Sequence, residues 1–149
     1  MSKKAYEYIG VVSTIDPDAY TTGEYTGDWV DIREWPDGLL AVFMAGTLGS
    51  SATLDGQLNQ ATDSSGTGTK IITGQSITQL TQAGSDSDKQ ALVFVRGDNL
   101  DTANAFYYVA PVMTIGTATS DAGAIVLGVG PRNTPASEYD LASVDEIVD

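Results

Sequence analysis

Leu39-Leu40-Ala41-Val42-Phe43-Met44-Ala45, followed after a Gly/Ser-containing break by Ala52-Thr53-Leu54-Asp55-Gly56-Gln57-Leu58-Asn59-Gln60-Ala61, decides the fold class of this chain. The second stretch alternates. Ala52, Leu54, Gly56 and Leu58 fall on one side of an extended chain and Thr53, Asp55, Gln57 and Asn59 on the other, the period-two pattern of a half-buried strand. The first stretch has no polar face and is short for a helix. It reads as a strand that needs cover on both sides, from the core on one and from a subunit or terminal arm on the other.

Working outward, similar short runs recur at Gln90 to Arg96, Phe106 to Ala118 and Ala122 to Gly130, cut apart by Gly, Ser, Thr, Asp and Asn. Tyr6 to Thr14 and Trp29 to Ile32 read as two opening strands, joined by a turn at Asp16-Pro17-Asp18 and a Thr/Gly/Tyr stretch. Pro36-Asp37-Gly38 is a turn, because Pro presets the first bend and Gly accepts the positive φ that closes it. Pro111 cannot donate a ladder hydrogen bond, so its strand is expected to be an edge or to bulge there. Ile77 and Leu80 fit a helical turn or a bulged strand, with the Thr-rich context favouring the strand. Ser143-Val144-Asp145-Glu146 has the capping-box spacing of a short helix in a C-terminal tail.

No amphipathic helix separates the runs, which excludes an α/β layout and points to an all-β antiparallel sandwich. The expected architecture is jelly-roll-like, with about eight strands and extended N- and C-terminal arms. Residues 1–19 form an N-terminal arm and first strand, 20–132 the sandwich domain and 133–149 an acidic tail.

The 149 residues amount to one ordinary domain with an adequate core. Cysteine and histidine are absent, which removes disulfides, thiolate catalysis, imidazole acid–base chemistry and the usual zinc ligands. Twenty acidic residues against seven Lys plus Arg give a net charge of −13. That is the wrong sign for nucleic acid or an acidic membrane surface, and no apolar run is long enough to span a bilayer. The N-terminal Lys3-Lys4 pair is followed by Glu7 and Gly10 where a secretion signal needs an apolar core.

Several weak signals suggest chemistry. Gly66-Thr67-Gly68-Thr69-Lys70 lacks the spacing of a phosphate loop, and Gly128-Val129-Gly130-Pro131 lacks the third glycine of a dinucleotide fingerprint. Asp86 and Asp88 are the best calcium ligands on offer but lack an EF-hand's ordered spacing. Two carboxylates at a set separation suffice for a glycosidase, and the sequence does not measure that separation. Trp29 and Trp35 with Tyr20, Tyr25, Tyr107, Tyr108 and Tyr139 suit a sugar-stacking platform, or, more simply, core and subunit contacts. The expectation is a non-enzymatic protein with no cofactor and no metal.

Gly27-Asp28-Trp29-Val30-Asp31-Ile32, Phe43-Met44-Ala45-Gly46-Thr47, the run from Ala52 to Asp63, Ile71-Ile72-Thr73-Gly74, Phe106-Tyr107-Tyr108-Val109 and Ala118-Thr119-Ser120 together resemble a group of tailed-bacteriophage virion proteins. The likeness spans Tyr20 to Arg132 and is one of sequence style, without a catalytic motif. It implies a head decoration, or cement, protein: a jelly-roll-like homotrimer, made in the bacterial host cytoplasm, that binds the major capsid protein on the outer capsid surface of the virion and stabilises the mature head. The chain differs from the small decoration proteins in its length and acidic tail. Chain ends are the usual clasps in such proteins, which assigns capsid contact to Lys3, Lys4, Tyr6, Arg132 and Tyr139. The alternative is a carbohydrate-binding or host-attachment module of a phage tail or head fibre.

Overall fold

The computed structural model describes residues 3–149. A single helical turn, α1 (Ala5–Tyr8), leads into ten strands: β1 (Ile9–Tyr20), β2 (Gly23–Thr26), β3 (Val30–Asp31), β4 (Leu39–Ala45), β5 (Thr53–Ala61), β6 (Lys70–Ser76), β7 (Leu80–Thr81), β8 (Gln90–Val95), β9 (Tyr108–Gly116) and β10 (Ser120–Val129). They form two antiparallel sheets. One runs β1-β10-β4-β8, the other β2-β9-β5-β6, with β3 continuing β2 along β9 and β7 continuing β6 along β5.

Taking each interrupted pair as one ladder position leaves eight positions, ordered 1-8-3-6 in one sheet and 2-7-4-5 in the other. That is the jelly-roll order of two interleaved Greek keys, so the expected architecture is present. The core lies between the sheets. Leu39, Ala41 and Phe43 of β4 meet Leu54 and Leu58 of β5 and Met113 and Ile115 of β9, all fully buried. Gly56 leaves room for Phe43 between the sheets: a β-carbon on Gly56 would stand 2.7 Å from the ring's Cγ. Trp35 fills one end of the sandwich, over the bare Cα atoms of the cross-strand pair Gly10 and Gly128.

Three local expectations change, and the open choice at Ile77 and Leu80 resolves to extended chain. Asp16-Pro17-Asp18 is not a turn between strands. It is a bulge inside β1, where the register shifts between Ile15 and Asp18. An edge strand tolerates proline there because no neighbour needs its missing N–H. Pro111, conversely, lies in the central strand β9, at the gap between β2 and β3, where the Gly27 N–H donates to the Pro111 carbonyl at 2.9 Å. Ile77 and Leu80 belong to the extended chain along β5.

Ser143 to Glu146 forms no helix. A 3-10 turn at Ala136–Tyr139 carries the tail back onto the body, with Ala136 fully buried and Tyr139 edge-on to Trp35 at 5.5 Å. The Val11 N–H donates to the Asp140 Oδ1 at 2.7 Å and the Leu141 N–H donates to the Val11 carbonyl at 3.0 Å. The tail thereby satisfies the free edge of β1 at this point, which an exposed edge would otherwise offer to another chain.

Candidate functional site

The strand β4, apolar throughout, is covered on one side only. Leu39, Ala41, Phe43 and Ala45 face the core, while Leu40, Val42 and Met44 face outward, with Met44 49% exposed. The strand register extends this into rows across the sheet. Val11, Leu127, Leu40 and Phe94 form one row, Thr14, Ile125, Val42 and Leu92 the next, and Gly123, Met44 and Gln90 a third. None of these positions carries a charge. Leu92 is 59% exposed and Phe94 44%, both on β8, the open edge of the sheet. The C-terminal tail lies along the edge of β1.

The other sheet is built differently on its outside. Glu24, Thr114 and Asp55 form one row there, and Thr26, Val112, Gln57 and Ser76 another. Asp55 Oδ2 accepts from Gln79 Nε2 at 2.7 Å and Asn59 Oδ1 from Gln57 Nε2 at 2.8 Å. One sheet thus presents water mainly with polar side chains, Ile71 being the exposed apolar exception, and the other mainly with aliphatic and aromatic ones. A contiguous uncharged apolar sheet face on a chain of net charge −13 is the candidate interaction surface.

Toward the β1 bulge the apolar face deepens into an open trough near 730 Å³ in volume, lined by Pro17, Ala19, Met44 and Ile125 among others. Asp16, Asp18 and Asp121 line it as well. Thr14 Oγ1 donates to the Asp16 Oδ1 at 3.1 Å and the Ala19 N–H to the Asp18 Oδ1 at 2.7 Å. The ion pairs among the described residues are Lys4–Asp149, Arg33–Asp31, Lys70–Asp101 and Lys89–Asp86, so none of the trough's three carboxylates has a cationic partner. Burial, and then the charges of Asp16 and Asp18, push the neighbouring Tyr20 phenol above its ordinary pKa.

The residues expected to contact a capsid lie at the opposite end of the sandwich. Lys3 sits 5.8 Å from the Tyr8 ring, Lys4 pairs with Asp149, and the Tyr6 hydroxyl donates to the Asp149 Oδ2 at 3.2 Å. Tyr139 packs on Trp35, and the exposed Arg132 donates its backbone N–H to the Glu34 carbonyl at 2.7 Å. Lys4 and Tyr6 therefore meet the tail at Asp149, Lys3 lies over Tyr8, and Arg132 and Tyr139 flank the 32–37 segment. Met1 and Ser2 lie outside the described residues.

The remaining signals resolve into structural roles. Asp86 Oδ2 accepts from the Thr81 N–H at 2.9 Å and its Oδ1 from Lys89 Nζ at 3.0 Å, bonds that hold its carboxyl below the usual carboxylate range. Gly66 to Lys70 closes the β5–β6 hairpin, with positive φ at Gly66 and Gly68, and leads into a strand. The buried polar side chains brace loops: Ser13 Oγ donates to the Asp28 carbonyl at 2.8 Å, and Gln60 Oε1 accepts from the Asp101 N–H at 2.7 Å. Trp35 is 2% exposed and Trp29 half-buried against Gly66, so the two tryptophans form no open stacking platform.

The outward rows and the trough are the features that the strand runs did not locate. Their signal was the lack of polar alternation in Leu39 to Ala45 and Gln90 to Val95, which shows that both faces are apolar but not which stays open. No family model, no curated protein and no solved structure matches the chain.

Proposed function

We propose that the protein is a non-enzymatic structural protein that works by docking: a homotrimeric cement protein on the outer surface of a tailed-phage capsid, bound to the major capsid protein and stabilising the mature head. The observation that carries this reading is the uncharged, apolar outer face of the β1-β10-β4-β8 sheet. Exposed apolar area of that kind is stabilised by being covered. Leu92 and Phe94 place it at the open flank of the sheet, from which a copy can meet the next one head-to-tail and close a ring.

The strong net negative charge opposes non-specific clustering of copies, so association is confined to the neutral face. A trimer that engages neighbouring capsid subunits multiplies weak contacts through effective concentration. Binding only the expanded lattice would then raise the free energy needed to open the shell. In this reading Lys3, Lys4 and Tyr6, together with Arg132 and Tyr139, form a second contact at the far end of each subunit.

The test is to mix purified protein with undecorated, expanded capsids of a tailed phage whose genome encodes it. Saturable occupancy in multiples of three, with greater resistance of the shell to heat, supports the role. Absence of binding to expanded capsids contradicts it.

A further inference from the structure

The trough at the β1 bulge joins two properties that seldom occur together on one surface. Pro17, Ala19, Met44 and Ile125 line it with hydrocarbon, and Asp16, Asp18 and Asp121 line it as well, none of them in an ion pair among the described residues. We propose that this trough is the socket for an extended protein segment of the partner in which a Lys or Arg is flanked by large apolar side chains. The proposal deepens the docking reading by naming the chemistry of the partner's contact, and it rests on that reading only for the partner's identity.

The two halves of the site ask for different parts of such a segment. The apolar flanks of the segment cover Met44 and Ile125, whose burial the sandwich leaves incomplete. The cation meets Asp16 and Asp18 on the bulge and Asp121, which stands opposite Ala19 in the β1–β10 ladder. Long basic side chains suit this arrangement because their methylene stems lie on apolar surface while the charged head reaches the carboxylates. An acidic or purely apolar segment would leave like charges facing one another or the carboxylates unpaired, so charge complementarity here sets which partner is accepted.

The bulge itself builds the socket. The register shift between Ile15 and Asp18 lifts the 16–18 segment out of the sheet. Gly123 allows that segment to lie close: a β-carbon there would stand 3.1 Å from the Ile15 carbonyl and from Pro17 Cα. Bulges commonly re-aim side chains beside functional sites.

The experiment is an NMR titration of the isotope-labelled full chain with synthetic heptapeptides. The parent, Gly-Ser-Phe-Arg-Leu-Ser-Gly amide, is compared with versions carrying Gln or Glu for Arg, a version with both apolar residues replaced by Ser, and a peptide of this chain's own first eight residues. Asp16→Asn, Asp18→Asn and Asp121→Asn are combined in one variant, which keeps the acceptors for Thr14 and Ala19. Expected are shifts confined to 14–19, 44–46 and 121–125, with the Arg peptide binding about tenfold tighter than the Gln peptide. That advantage is lost in the triple variant and shrinks when salt rises from roughly 0.1 M to 1 M, which shortens the Debye length from about 10 Å to about 3 Å.

Equal binding of the Arg, Gln and Glu peptides overturns the proposal, as does unchanged binding by the triple variant or no trough-confined shift up to about 1 mM peptide. Preference for the chain's own N-terminal peptide over the Arg parent also overturns it, by making a second copy the occupant. The triple variant retains Leu92 and Phe94, so its oligomeric state should match that of the wild type. A wild-type protein that ignores capsids yet shows the peptide preference contradicts the capsid reading alone.

Discussion

Leu40 and Phe94 stand opposite one another across the β4–β8 ladder, on the outside of the sandwich, and Phe94 remains 44% exposed although the Arg96 guanidinium lies 5.6 Å from its ring centre. Two large apolar side chains paired on a solvated face contribute little to the monomer beyond their mutual contact. The double substitution Leu92→Ser, Phe94→Ser should therefore change the unfolding free energy of the isolated fold by no more than about 1 kcal/mol. Urea denaturation at low protein concentration measures it. A loss several times larger would place these residues in the core.

The inner face of the same strand predicts the opposite. Phe43 is fully buried against Gly56, so Phe43→Ala should cost about 3–5 kcal/mol. Gly56→Ala forces a β-carbon to within 2.7 Å of that ring and should cost about 1–3 kcal/mol. The two should not add, because truncating the ring removes the clash. A double-mutant cycle by urea denaturation tests this, and strict additivity would refute the close packing.

Deleting residues 1–8 should leave the sandwich folded, because α1 buries no side chain. It removes the bond from the Gly130 N–H to the Tyr8 carbonyl and the contact of the Tyr8 hydroxyl with Asp37. The expected loss of stability is about 1–2 kcal/mol, while capsid occupancy should disappear. Circular dichroism and a capsid-binding assay separate the two effects. Undiminished occupancy would remove Lys3, Lys4 and Tyr6 from the contact.

Asp86 offers a pH test. Its folded-state pKa lies below the usual value because the Thr81 N–H and the Lys89 ammonium favour the carboxylate. The unfolded chain therefore takes up the proton first as pH falls. The stabilisation is fully present above about pH 5 and is lost as pH drops through roughly 4 and below. Asp86→Ala should thus lower the melting temperature at pH 7, and the gap from wild type should narrow on acidification. Comparing each pair at one pH cancels the relief of repulsion among the other acidic residues. A gap that widens in acid would contradict the assignment.

The fold was largely legible because alternation and turn chemistry report directly on strands. Ala52 to Ala61 and Pro36-Asp37-Gly38 became β5 and the turn before β4 with their boundaries nearly unchanged. Asp16-Pro17-Asp18 was misleading, since the same residues that favour a turn also favour a bulge on an edge strand, and only pairing with β10 distinguishes them. Ser143 to Glu146 has a helix start signal but too little apolar surface to dock a helix, so the tail's burial is achieved by Ala136 and Tyr139 instead. The docking face was half legible. The apolar run at Leu39 to Ala45 required cover on two sides, and only the folded sheet shows Met44 exposed and Leu40 and Val42 half-buried. The trough was not legible, because Asp16, Asp18 and Asp121 come together across more than a hundred residues of chain.

The most direct measurement is sedimentation equilibrium of the wild-type protein beside the Leu92→Ser, Phe94→Ser variant. If the outer sheet face is a docking surface, the wild type sediments at three times its 15.6 kDa chain mass and the variant as a folded monomer. A wild type that stays monomeric at every concentration, indistinguishable from the variant, would contradict the account.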